Sequence, residues 1–161
     1  MATYVLEDAK LYISGNDFSG DVNQITLSHE AEIQDKTTFG SGGTLEKLPG
    51  LKNTTLGSSG FWDNAGGDGD LDDVLFDEVG TTEEPVTVCP TNGADGEWAY
   101  TFKSLLASYA PGAAVGEVLA FTVNAEGHGA LVRGTIMAAG AKTATGTGTA
   151  RQLGAVTATQ K

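Results

Sequence analysis

The stretch QITLSHEAEIQ, residues 24–34, sets the strongest limit on what this chain can become. Ile25, Leu27, Ala31 and Ile33 fall on one side of an extended backbone, and Thr26, Ser28, Glu30, Glu32 and Gln34 fall on the other. A period of two fits a half-buried strand, whereas a helix would scatter those apolar groups around its axis. His29 stands on the apolar side. No other His, Cys or acid pairs with it at a ligand spacing, so a hydrogen-bonded place in the core or at an interface is expected.

The same pattern recurs along the chain, punctuated by turns. Strands are expected at Thr3–Leu6, at Lys10–Ser14, at 51–62, in EPVTVC ending at Pro90, and in EWAYTFK, where Trp98, Tyr100 and Phe102 share a face. TNGADG is a double turn signal. EVLAFTVNA and ALVRGTIMA flank EGHG, which reads as a tight hairpin turn that also accounts for His128. Thr143, Thr145, Thr147 and Thr149 alternate with small residues, a pattern that suits a pleated strand with close backbone approach on one face.

Only one helix is expected, at about residues 70–79, where Leu71, Val74, Leu75 and Val79 make an apolar stripe and Gly80 is placed to cap it. The tally is roughly eight or nine strands, most joined by turns too short for parallel crossovers. This predicts one domain over 1–161, mainly β, an antiparallel β-sandwich or barrel with one flanking α-helix. The strands carry few Lys or Pro guards, so their edges are expected to be satisfied by another subunit. Between two of them lies KTTFGSGGTLEKLPG, residues 36–50, a long glycine-rich loop that adds no core. Its apolar groups Phe39, Leu45 and Leu48 are anchors if a partner covers them and liabilities if none does.

Charge narrows the function. The chain of 161 residues holds 21 acids against 9 bases, a net charge of −12, and the stretch 53–102 has eleven carboxylates and no cation. Such a field repels phosphate, so tight nucleic-acid binding is not expected, and by itself the charge serves solubility. The single cysteine, Cys89, excludes an internal disulfide framework and leaves no partner for a zinc knuckle. MATYVLEDAK lacks the basic and apolar regions of a signal peptide, and no run approaches the roughly 18 apolar residues of a membrane span. A soluble chain without a membrane partner is expected.

No nucleophile elbow, Walker loop, dinucleotide fingerprint or H-E-x-x-H occurs, and a triad built on two distant histidines and one cysteine would need a coincidence of folding. No catalytic residues, cofactor or metal are expected. Asp68, Asp70, Asp72 and Asp73 begin like a calcium loop, but Asp73 stands where the sharp turn needs glycine and Val79 where a bidentate Glu belongs. Acids there complement the start of a helix. Trp62 beside Asp63 and Asn64 fits a sugar-binding sandwich less well than an indole packed over the helix that follows.

The run from Asp21, DVNQITLSHEAEIQDKTTFG followed by LPGLKN, resembles the major tail tube protein of long non-contractile-tailed, siphovirus-like bacteriophages, and ARQLGAVTATQK resembles a late strand of such proteins. The resemblance implies a β-sandwich or barrel-like structural domain, without enzymatic activity, that forms hexameric rings stacked into a hollow tail tube. It makes the loop an inter-ring assembly arm, with Thr37, Thr38, Phe39, Gly40, Leu45, Leu48 and Pro49 as its contact residues. Glu30, Glu32 and Asp35 become candidate lumen acids that let DNA slide past during ejection without specific binding. The implied partners are copies of the chain itself and other tail proteins at the tube ends. The implied location is the virion, after synthesis in the host cytoplasm. The rival readings are a capsid-decorating or head-to-tail joining protein and a monomeric carbohydrate-binding β-sandwich module.

Overall fold

The alternating stretches become strands because each has one apolar side to bury, and the computed structural model describes them over residues 5–63 and 70–137 and in the backbone of 157–160. The strands are β1 Lys10–Ile13, β2 Asn16–Asp17, β3 Val22–Asp35, β4 Lys47–Phe61, β5 Glu84–Cys89, β6 Trp98–Gly112, β7 Ala120–Met137 and β8 Thr157–Gln160. Their pairings are antiparallel, in the order β2-β1-β5-β6-β7-β4-β3, with β8 beside the far end of β7. In that order β1 and β4 stand four places apart, about 19 Å in a flat sheet at the usual strand spacing. Yet Leu11 and Ile13 of β1 share one buried cluster with Leu56 of β4, Val86 of β5, Phe102 of β6 and Phe121 of β7. The sheet therefore rolls around its own apolar face. The expected sandwich or barrel is realised as one rolled sheet rather than two facing ones.

The helix, α1 Leu71–Glu78, forms inside the predicted span. Leu71 and Leu75 are buried and Val74 packs against the same core, as the stripe requires. Gly80 follows at φ +69°, which glycine adopts without strain, and donates its N–H to the Leu106 carbonyl at 3.0 Å. The helix end is thereby fixed to β6.

Three expectations change. EGHG is not a hairpin turn: β7 runs through it without a break, and Gly127 and His128 pair with Ser104 and Lys103 of β6. Gly129 takes φ +88° where the register shifts, and a Cβ on Gly127 would lie 2.8 Å from the Thr54 Cβ. These glycines serve a bulge and a close crossing. The loop expected at 36–50 is shorter, because Lys47–Gly50 belong to β4, where Lys47, Leu48 and Pro49 pair with Asp35, Gln34 and Ile33. Pro49 is tolerated there since, among the described residues, β4 has no second neighbour on that stretch. Finally, Phe102 is buried while Trp98 lies at the rim of the core with the Arg133 guanidinium 4.5 Å from its ring centre, so the two share an alternation but not an environment. The expected strand at Thr3–Leu6 does not form over Val5 and Leu6, and its first half, like Asp68 and the whole of residues 142–156 with the alternating threonines, lies outside the described residues.

Candidate assembly surfaces

β4 is paired to β7 only from Phe61 back to Thr55, whereas its pairing with β3 continues to Asp35↔Lys47. Residues 29–53 therefore leave the body as a two-stranded ribbon, and none of them is buried. Such a ribbon has little to hold it in water except its own ladder and turn. Its apex is locked by short polar contacts. The Thr37 N–H donates to Asp35 Oδ1 at 2.8 Å, the Lys36 N–H to the Glu46 carbonyl at 3.1 Å, and the Glu46 N–H to Thr37 Oγ1 at 3.0 Å. A single 3₁₀ turn, Phe39–Ser41, follows, and Gly42 and Gly43 at φ +60° and +82° reverse the chain. Lys47–Asp35 at 3.0 Å and Lys36–Glu46 at 3.4 Å brace the stem.

The sequence-predicted arm residues thus fall in two places. Thr37, Thr38, Phe39, Gly40 and Leu45 form the apex, while Leu48 and Pro49 sit on the stem opposite Gln34 and Ile33. Phe39 has no cover at all, and Leu45 is 69% exposed. Sequence reading missed Leu51, which is 81% exposed at a bulge between Ala31↔Lys52 and Ile33↔Pro49. Gly50 makes that bulge possible, since a Cβ there would approach the Glu32 carbonyl oxygen to 2.9 Å.

The candidate lumen acids divide as well. The bulge beside Glu32 puts its extra residue on β4, so β3 keeps its alternation there and Glu30 and Glu32 share one face, where Glu30 accepts from Ser28 Oγ at 2.9 Å and Glu32 accepts from Gln34. Asp35 falls on the other face, tied to Lys47. Hydrogen bonds from the Thr37 side chain and amide hold its carboxyl below the usual carboxylate range, with Lys47 adding to the effect. The face that carries Glu30 continues across β4 and β7 through Thr55, Ser59, Thr122 and Asn124 to Glu126, which pairs with Thr55 on one side and Leu105 on the other. Glu126 was legible in the alternation FTVNAE, whose other members Phe121, Val123 and Ala125 are buried. Lys103 and His128, further along, both contact Glu83 at 3.0 Å. Hydrogen bonding to Lys103 keeps that carboxyl low.

This polar face belongs to a four-stranded segment, β6-β7-β4-β3, with two open edges. Among the described residues β3 pairs only with β4, and β6 from Ala107 to Gly112 pairs only with β7. At the end of the segment away from the arm, Phe61, Val115 and Val118 are 52%, 107% and 70% exposed. The loop that carries the two valines is tied down by the Trp62 N–H, which donates to the Leu119 carbonyl at 2.9 Å. Acids crowd the same end: burial, then Asp63, Asp17 and Asp70, raises the Asp21 carboxyl.

Asp72, one of the calcium-like acids, is engaged by protein donors, accepting from Trp62 Nε1 at 3.0 Å and from the Tyr109 hydroxyl at 2.8 Å. Trp62 accordingly packs at the helix start, as expected. His29, at the root of the arm, has its Nδ1 2.8 Å from Thr54 Oγ1, and it lines an apolar cavity of about 350 Å³ with Ile25, Leu27, Val88, Tyr100 and Leu131. No helix among the described residues is long and apolar enough to cross a membrane.

No protein-family model matches the sequence, and no curated protein does either. The fold is shared with chains of solved phage-like assemblies. One comes from the tail of an empty gene transfer agent particle refined with helical, C6 symmetry, at TM-score 0.59 and 18% identity over 76% of this chain and 91% of that one. A second comes from the six-fold symmetrised baseplate of the anti-feeding prophage, at TM-score 0.61 and 17% identity over 83% and 97%. A third comes from the sheath/tube terminator of an extracellular contractile injection system, at TM-score 0.64 and 10% identity over 83% and 97%. At these identities the likeness is one of fold.

Proposed function

We propose that this chain is a structural subunit of a phage-like tail, closing six at a time into rings that stack into a hollow tube. The observation that carries the reading is the ribbon at 29–53: a braced, unburied hairpin that ends in an uncovered Phe39 and has no role in the body's own core. A folded domain does not stabilise such a structure without a partner to cover it. The two open edges of the β6-β7-β4-β3 segment supply the ring joints, each edge pairing with the other kind on the next copy. The polar face with Glu30, Glu32 and Glu126 then lines the bore, where carboxylates repel phosphate over about 8 to 10 Å at physiological salt. The shared fold includes chains of six-fold symmetric assemblies, which supports six as the ring number. The sequence resemblance favours a tube of the long non-contractile type, and on this reading the chain is made in the host cytoplasm and ends in the virion beside other tail proteins.

Negative-stain microscopy of the concentrated protein is the test. Tubes are expected from the full chain, and single rings or shorter species from a chain lacking residues 38–46, with thermal unfolding unchanged because the deletion touches no buried residue. A closed trimer or one ring that never stacks would favour the decorating or joining protein. A monomer that binds immobilised glycans would replace the tube with a carbohydrate module.

A further inference from the structure

The arm has a chemically matched surface at the opposite end of its own ribbon. β3 runs from Val22 to Asp35, thirteen steps. At about 3.3 Å each these separate the two ends by about 43 Å. One end carries Phe39 and Leu45 uncovered, with Lys36 paired to Glu46, Lys47 paired to Asp35 and Lys52 on the stem, so that residues 35–53 hold three cations against two acids. The other exposes Phe61, Val115 and Val118 beside Asp21, Asp63 and Glu117, and the described segments that build it, 14–28, 57–63, 70–82 and 105–126, contain no Lys or Arg. Two unlike surfaces at opposite ends of a rigid element cannot meet within one copy. They make a head-to-tail contact, which repeats without closing.

We propose that the arm of one copy seats on the Phe61–Val115–Val118 end of a copy in the next ring. This rests on the tube reading and names the receptor for the arm. Phe39 and Leu45 cover the two valines and Phe61, and the arm lysines face the acids around them. Lys36 and Lys47 already pair with Glu46 and Asp35, so the apolar contacts supply most of the joint and the charges serve its register.

The test uses the full 161-residue chain. Val118→Asp lies on an exposed loop and is expected to leave unfolding unchanged while reducing tubes to single rings, as Phe39→Asp does. Rings of the two variants, prepared separately and mixed, are expected to pair two by two, because each supplies the surface that the other lacks. A second arm pairs Leu45→Cys with Val118→Cys in one chain. The native Cys89 is wholly buried, and the two new thiols are too far apart to bond within a copy, since a disulfide needs Cα atoms within about 7 Å. Oxidation with diamide should give a ladder of covalent multimers from the double variant and at most dimers from either single one. Val118→Asp tubes as long as those of the unmodified chain, or a double variant that stops at dimers, would overturn the receptor assignment and leave the tube reading intact. An unmodified chain that makes no tubes would remove both.

Discussion

Single residues show both what sequence pattern carries and where it stops. Cys89 is wholly buried, and burial pushes its thiol up to about 11. An exposed thiol in the unfolded chain, with an ordinary pKa of about 8.5, gives up its proton well before that. The unfolded state then binds fewer protons than the folded one, so stability is full at neutral pH and falls as pH rises through the window up to about 11. Urea midpoints at about pH 8 and about pH 10.5 should differ less for Cys89→Ala than for the native chain. An equal drop in both would assign the alkaline loss elsewhere. The glycines of EGHG mark the other side. Gly127 and Gly129 carry the same letters whether they make a turn, a bulge or a crossing, because in each case what matters is a missing Cβ or a positive φ. Only the partner strand decides, and Thr54, which occupies the space beside Gly127, lies over seventy residues earlier in the chain.

At the scale of elements, α1 was legible because its apolar stripe and the glycine after it agree with each other, and β3 because its alternation has no competitor. The extent of the arm was not. The proline and glycine in KLPG resemble a loop, yet Leu48 and Pro49 pair with β3 and Gly50 forms the bulge beside them, because β7 has already left that side of β4. What holds α1 in place was legible only in part: the Trp62 indole was expected over the helix, but its shared partner Asp72 and the third member Tyr109 were not, since the three come from separate segments. Asp72 accepts from both donors, and the Tyr109 hydroxyl keeps its proton above the usual range through burial first and this carboxylate second. Asp72→Ala strands two partly buried donors and is expected to cost about 1–3 kcal/mol in a denaturant titration. Asp72→Asn keeps an acceptor and loses less. Tyr109 in the alanine variant should also ionise at lower pH, read from phenolate absorbance. A stability loss without that shift would mean that the side chain acts only as a helix-start residue.

For the whole molecule, the rolled sheet sorts charge by face, and that sorting is what a conduit requires. Glu30, Glu32 and Glu126 project from one polar wall of hydroxyls and amides, while Asp35 is matched by Lys47 on the other side of the ribbon. The excess of acids is plain in the sequence, but its direction is not, because a strand shows which residues share a face without showing which face looks inward. A bore lined by the Glu30–Glu126 wall should leave duplex DNA unbound even at low salt, and reversing its charge should turn a repellent surface into a counterion-releasing one. Tubes assembled from Glu30→Lys, Glu126→Lys chains are therefore expected to retain a fluorescent duplex on pelleting, with retention falling linearly in log–log plots against salt. Unmodified tubes should retain none under the same conditions. Retention by the unmodified tubes would remove the repulsive wall from the account. Reversed tubes that stay empty would place these acids on the outside of the assembly, and Lys substitutions on the opposite face, beside Ile33 and Pro49, would then be the ones that capture DNA.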